Sequence, residues 1–249
     1  MIKNQRLDEI LNIVQKNRHV TVAELADRLY ASPATIRRDI ALLERSELIV
    51  KSYGGISLAG GHNRFVELDQ RAEAHRTEKL QIGRTAAALV QPGDALFMDA
   101  SSTVISMIPF LQQKNLTVIT NSLRVADRMG QSGARVFITG GELHENSKSF
   151  GGSIAERTVR SFHADKLFFS AAGVNAGGVI SDFYEEDIAV RQAMIACSTE
   201  QYFLCDSSKY GKNYLFRIGN VERLTRVISD RELSFSGAQG AAERRGKEG

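Results

Sequence analysis

Apolar positions recur along this chain at two different periods, and the change between them divides it. Near the start, Leu7, Ile10, Leu11 and Val14 stand at i, i+3, i+4 and i+7, which draws one apolar stripe down a helix. Val22, Leu25, Ala26 and Leu29 repeat the spacing after a break at Arg18-His19. Ser32 offers a capping hydroxyl and Pro33 suits a first helical position. A third helix is therefore predicted from Pro33, with Ile36, Ile40 and Leu43 as its buried stripe. The run Leu48-Ile49-Val50-Lys51-Ser52-Tyr53, then Gly54-Gly55 and Ile56, predicts a small hairpin about a glycine pair. Helix, helix, short turn, helix and hairpin within residues 1–57 form a winged helix-turn-helix pattern.

Residues 58–75 keep no clear period, carry Gly60-Gly61 and are expected to be a linker. From Arg76 the apolar residues gather into short continuous runs separated by helical stretches. The runs are Ala95-Leu96-Phe97-Met98, Leu116-Thr117-Val118-Ile119, Val136-Phe137-Ile138, Leu167-Phe168-Phe169, Tyr202-Phe203-Leu204-Cys205 and Val227-Ile228-Ser229, each followed by small or polar residues. Such runs alternating with helices predict a mostly parallel sheet covered on both faces, an α/β domain over residues 76–235. Ligands of such sheets bind outside the carboxyl ends of the strands. The final stretch, 236–249, is rich in Gly, Ala and charge and is expected to be disordered.

Composition alters this picture only through where the charge lies. At 249 residues, 43% hydrophobic and 24% charged, the chain is ordinarily globular rather than fibrous or disordered. A net charge of +3 does not by itself indicate a polyanionic partner. Residues 1–57 hold nine Lys or Arg against seven Asp or Glu, whereas residues 58–235 hold twenty of each. Cys197 and Cys205 form no C-x-x-C and the five histidines form no metal-spaced pair, so no disulfide framework, metal site or cofactor is expected. The opening MIKNQRLDEI has no signal-peptide core, and no run nears the ~20 apolar residues of a membrane span. With two free thiols, this predicts a cytoplasmic protein without a membrane partner.

Projected at helical spacing with Ile36, Ile40 and Leu43 inward, the third helix turns Ala34, Arg38, Ala41 and Arg45 outward, flanked by Thr35 and Arg37. Small alanines beside long guanidinium forks suit a recognition helix in a major groove. An ordinary solvated face would carry the same residue types, but the preceding helix, the short turn and the hairpin favour DNA. Ser32 lies at the helix start, and Arg18, Lys51 and Tyr53 are candidate phosphate contacts.

The stretch from Val20 to Gly55, above all Thr35-Ile36-Arg37-Arg38-Asp39 with Leu42, Glu44 and Gly54-Gly55, resembles the DNA-binding segment of the DeoR family of bacterial transcriptional regulators. The resemblance continues to about Asp230 through Glu78-Lys79, Asp99-Ala100-Ser101-Ser102-Thr103, Thr120-Asn121-Ser122, Gly140-Gly141 and Asp206-Ser207-Ser208-Lys209. It implies a repressor acting on double-stranded operator DNA. It also implies a sensor domain similar to ribose-phosphate isomerase, with a phosphorylated sugar as effector. Paired operator half-sites imply a homo-oligomer.

Read without the family, Asp99 to Thr103 joins a strand end to a helix start, where backbone N–H groups and hydroxyls suit an anion or where Ser101 or Ser102 simply caps. Thr120-Asn121-Ser122 poses the same choice. Asp206 and Lys209 suit a sugar phosphate or a surface ion pair. The resemblance implies that Asp99, Ser101, Ser102 and Thr103 form a phosphate loop. It implies too that Thr120, Asn121, Ser122, Gly140 and Gly141 line the pocket and that Lys209 reaches the phosphate. Ser101 stands where the family often has Gly, and Ser170-Ala171-Ala172-Gly173 is poorer in glycine than usual. Cys197 and Cys205 read as packed thiols, Glu185, Glu186 and Asp187 as helix-start charges, and Gly173, Gly177 and Gly178 as turns. Two other classes stay open: an isomerase-like enzyme with an appended DNA-binding domain, and a middle domain that only oligomerises.

Overall fold

A computed structural model describes residues 6, 7, 9, 10, 13, 14, 17, 20–45, 49–52, 55–58, 68–111, 115–144, 147–182 and 185–236. The chain falls into two compact units, Met1–Phe65 and Val66–Gly249.

In the first unit, Thr21 caps α1 (Val22–Arg28). Its hydroxyl accepts from the Glu24 N–H at 3.1 Å while the Glu24 carboxylate accepts from the Thr21 N–H at 2.8 Å. This reciprocal box satisfies donors that a helix start leaves open. Ser32 caps α2 (Pro33–Arg45) singly, its Oγ accepting from the Thr35 N–H at 3.1 Å. Strands β1 (Ile49–Ser52) and β2 (Gly55–Leu58) pair antiparallel as the expected hairpin, and Val20 bridges to Ile56. Ile10, Val14, Val20, Leu25, Ile36, Ile40, Ile49 and Ile56 are each at most 1% exposed, and burying each such side chain contributes roughly 1.5–3 kcal/mol. The helical stripes read from the sequence are thus the core of this unit.

The second unit opens with α3 (Leu68–Glu73) and α4 (Arg76–Ala87). Then follow β3 (Ala95–Met98), α5 (Ser102–Ile105), β4 (Thr117–Thr120), α6 (Leu123–Gln131) and β5 (Arg135–Ile138). After them come β6 (Glu142–His144), β7 (Ser149–Gly151), α7 (Gly152–Arg160) and β8 (Ala164–Phe169). The remainder is β9 (Gly173–Val174), β10 (Val179–Asp182), α8 (Glu185–Ala196), β11 (Ser198–Leu204), β12 (Phe216–Asn220) and β13 (Arg226–Ile228).

Six strands form a wholly parallel sheet in the order β13-β11-β8-β3-β4-β5, and each overlaps one of the apolar runs. Side chains alternate between two cores, one per face. Leu96, Met98, Val118 and Phe168 pack with Ile82, Ala86 and Val125 on one side. Phe97, Ile119, Leu167 and Phe203 pack with Ala155, Val190 and Met194 on the other.

Smaller antiparallel pieces, β6 with β7 and β12-β10-β9, are additions that the apolar runs did not signal. Part of the stretch expected as a linker is structured: residues 68–73 are helical, and Leu68 is 2% exposed within a core. Gly173, expected in a turn, lies in β9, where a Cβ would stand 2.8 Å from the Lys212 carbonyl oxygen. Of the expected disordered tail only Ser236 is among the described residues.

Candidate functional site

On the first unit, the Thr35-to-Asp39 run divides by face. Ile36 is fully buried, and Asp39, 3% exposed, takes an ion pair from Arg6 at 2.5 Å. That bond raises the Arg6 guanidinium further above its ordinary value. Asp39 is thus an internal anchor, while Arg37 and Arg38 stand outside with Ser32 and Ala34. Thr35 and Ala41 are half-buried, so they stand at the margin of this surface rather than at its centre. Lys51 reaches back to Glu44 of α2 in an exposed ion pair. An open groove of about 650 Å³ separates α2 from the wing, with Arg37, Lys51 and Thr21 on its walls and Ile40 and Ile56 at its base. Arg18, Tyr53 and the Arg45 side chain lie outside the described residues.

The second unit has its crevice where strand order reverses. From β3 the chain proceeds through β4 to β5, then returns to β8 on the other side of β3 and continues to β11 and β13. The connections after β3 and β8 therefore leave in opposite directions, opening a gap at their carboxyl ends, the usual ligand position in open α/β sheets. Asp99 and Ser170 follow β3 and β8 directly there, and Asp206 lies two residues past β11.

Asp99 is 1% exposed and both its oxygens are occupied. Oδ1 accepts from the Ser101 N–H at 2.9 Å, and Oδ2 from the Ser170 N–H at 3.2 Å and from Arg191 Nε at 3.0 Å. It pins the loops on either side of the crevice. Arg191 also bonds Asp182 at 2.9 Å and faces Asp187 at 3.7 Å. Three buried carboxylates outweigh the cost of burying Arg191 and hold its guanidinium above its ordinary value. Burial pushes Asp187 the other way for an acid, upward, against the pull of Arg191.

Two further cations, Lys209 and Arg71, stand close enough to Lys79 to act on it electrostatically. Lys209 donates to Ser170 Oγ at 2.8 Å and Thr103 Oγ1 at 3.3 Å and pairs with Asp206 at 3.5 Å. Lys79, 5% exposed, donates to the backbone carbonyls of Arg71 and Ala74. Burial, with Lys209 nearby, brings the Lys79 ammonium down to about 8. Arg71 leaves its buried Nε without a hydrogen-bond partner. Asp206, 1% exposed, is the carboxylate among them. Burial would raise its value, but Lys209, the Ser208 hydroxyl and Lys79 hold it below the usual range. It is not a surface ion pair. Positive charge in excess, lined by the hydroxyls of Ser102, Thr103 and Ser170, suits a phosphate.

The remaining expected residues have mixed positions. Ser101 Oγ caps α5 through the Val104 N–H at 3.3 Å, and Ser102 Oγ donates to the Arg71 carbonyl at 3.3 Å. Thr120 Oγ1 donates to the Met98 carbonyl at 2.6 Å, and Ser122 caps α6. Both hydroxyls are fully buried and engaged with the protein itself. Asn121 leaves its buried Oδ1 without a partner, an acceptor available to a ligand. Gly141, at φ +109°, passes so near β7 that a Cβ would lie 2.4 Å from the Gly151 carbonyl oxygen, while Gly140 has open space.

Arg71, Lys79, Ser170 and Arg191 join the site although no sequence pattern marks them for it. Glu78-Lys79 is visible as a motif, but nothing local says that this helical lysine folds back over the junction before its own helix. Arg191 is 92 residues from Asp99 and has no signal in spacing. Asp187, read as a helix-start charge, belongs to the Arg191 network.

Residues 6–60 match the DeoR-like helix-turn-helix domain, and residues 74–231 match the DeoR C-terminal sensor domain. Among curated relatives, the uncharacterized HTH-type transcriptional regulator YulB of Bacillus subtilis is 32% identical over 234 residues, 94% of this chain and 91% of the relative. The HTH-type transcriptional repressor GlcR of the same species is 31% identical over 93% of this chain and 90% of its own. The lactose phosphotransferase system repressor of Streptococcus mutans is 32% identical over 92% and 93%. Among solved structures, ribose 5-phosphate isomerase A of Methanocaldococcus jannaschii aligns at TM-score 0.42 and 15% identity over 55% of each chain. That likeness is too loose to say anything of chemistry.

Proposed function

This chain belongs to the DeoR family of transcriptional regulators, and on that premise we propose that it represses a carbohydrate-utilisation operon and responds to a phosphorylated sugar. The first unit docks α2 in the major groove. Arg38 meets base edges there, and Arg37 and Lys51, on the walls of the groove beside the wing, meet the flanking backbone. The sensor's crevice takes the phosphate between Lys79, Lys209 and the Ser102–Thr103 turn, with Asn121 Oδ1 accepting from a sugar hydroxyl. The observation that supports this is the pairing of Lys79 and Lys209 with Asp206 at the reversal of strand order, with Arg71 acting on Lys79 beside them.

The chain is a regulator rather than an enzyme on this reading: both oxygens of Asp99 are taken by protein groups, and Asp206, whose Oδ1 accepts from Ser208, is paired with Lys209. It acts in the cytoplasm as a homo-oligomer, since half-sites call for paired heads.

A panel of pentose and hexose phosphates tests the sensor. One or more should raise the melting temperature of the chain, saturably and without turnover, and release it from DNA. Turnover would favour the isomerase-like alternative, and no shift with any member would leave an oligomerisation module. For the head, Arg38→Ala should weaken binding to a selected duplex by about 1–3 kcal/mol and relax its base preference. Unchanged affinity and preference would refute the placement of α2.

A further inference from the structure

Tyr30 stands in the turn that joins α1 to α2, and it is 97% exposed. Its backbone is left-handed, at φ +49°, a conformation that glycine adopts freely and other L-residues only at a cost. The turn is not frayed. The Leu29 N–H donates to Leu25 at 3.0 Å, the Ala31 N–H to Ala26 at 3.0 Å, and Ser32 caps the helix that follows. The strained residue is therefore held in place from both sides. Among the described residues no hydrogen bond or ring contact engages its side chain. Aromatic rings are among the largest apolar surfaces a chain can bury, yet this one lies in water on a backbone that favours glycine. Neither feature helps the free molecule, and strain of this kind gathers at functional positions.

The partner is indicated by the neighbours. Two residues on, Ser32 begins the helix whose exposed face carries Ala34, Arg37 and Arg38. A side chain leaving the turn just before that helix lies at the lip of whatever groove the helix enters. We propose that Tyr30 is a DNA-backbone contact, its ring laid on a deoxyribose and its phenol donating to a phosphate oxygen beside the groove occupied by α2. This rests on the reading of α2 as the recognition helix. A neutral tyrosine adds grip and orientation without reading bases, which is the role of backbone contacts.

The test uses the full chain and duplexes that it enriches from a random-sequence pool, with a scrambled duplex alongside. Tyr30→Gly should melt a few degrees higher, because the strain is relieved, yet bind the enriched duplex about five- to tenfold more weakly. Tyr30→Phe, lacking only the hydroxyl, should lose about threefold. Both losses should be equal on the scrambled duplex, and the salt dependence of Tyr30→Phe should be unchanged because no phosphate charge is neutralised by a phenol. Arg38→Ala serves as the reference, with a loss concentrated on the enriched duplex. If Arg38→Ala weakens binding while Tyr30→Gly stays within twofold of the parent, the Tyr30 contact is wrong and the α2 reading stands. If neither variant changes binding, or no duplex is enriched, the α2 reading falls and the contact with it. If Tyr30→Gly alters sedimentation of the DNA-free chain, the ring serves a second copy instead, and the proposal is overturned.

Discussion

Replacing Arg191 with methionine removes the guanidinium that pairs with Asp99 at 3.0 Å and Asp182 at 2.9 Å and faces Asp187 at 3.7 Å, all four side chains being at most 7% exposed. Removing one partner of a buried pair typically costs about 3–5 kcal/mol, because the other charge is left buried and uncompensated. In a unit of this size each kcal/mol lowers the melting temperature by about 2–4 °C, so Arg191→Met should melt roughly 6–20 °C below the parent at pH 7.5. The deficit should depend on pH in a definite direction. Burial already raises the Asp187 carboxyl above its ordinary value against the pull of Arg191, and removing the guanidinium removes that opposition. The folded state then binds protons first as pH falls, so the variant regains stability relative to the parent between pH 7 and pH 5. Thermal unfolding of both proteins at pH 7.5, 6 and 5, followed by circular dichroism, measures this. A deficit below 3 °C, or one that stays constant with pH, would refute the assignment of Arg191 as the counter-charge that fixes Asp99.

Two further outcomes are expected. With the Lys79 value in the free protein at about 8 and a bound phosphate dianion raising it, phosphate binding should be strongest just below pH 8, where Lys79 is charged and the phosphate is still doubly ionised. It should weaken as pH rises past 8, with proton uptake near that pH, and titration calorimetry of inorganic phosphate in two buffers of different ionisation enthalpy reads both. Equal affinity at pH 7 and pH 9.5 would remove Lys79 from the phosphate seat. Gly141→Ala puts a methyl group 2.4 Å from the Gly151 carbonyl oxygen at a φ of +109°, and should destabilise the chain by about 2 kcal/mol or more. A melting temperature equal to the parent's would show that β6 and β7 can move apart.

The helical and strand periods carried most of this fold, for a physical reason. Ile36, Ile40 and Leu43 are inward because a helix has 3.6 residues per turn, and the runs at Phe97, Ile119 and Phe203 are strands because both faces of their sheet are covered. Ser32 and Pro33 marked a helix start correctly because capping is a local interaction. The strand ends were legible too, and with them Asp99, Asn121, Asp206 and Lys209. What those side chains do was less so. Asp99 is an anchor rather than a presented carboxylate, because its partners come from residues 170 and 191, and Asp39 is an anchor because Arg6 reaches it. The Lys79 ammonium lies over the α3–α4 junction through bonds to backbone carbonyls, which no residue pattern announces. The ribbons β6–β7 and β12-β10-β9 are built from short, half-polar strands whose alternation is too brief to rise above background.

The crevice opens over β3 and β8, the two innermost strands of the sheet, each bonded on both sides and covered above and below. Amide hydrogens there are the ones expected to exchange last with solvent. The floor beneath a guest is therefore the stiffest part of the molecule and does not yield to it. Any response must arise in what stands on that floor: the turn at Ser102, the backbone carbonyl of Arg71 that both Ser102 and Lys79 hold, and the short α3 to which that carbonyl belongs.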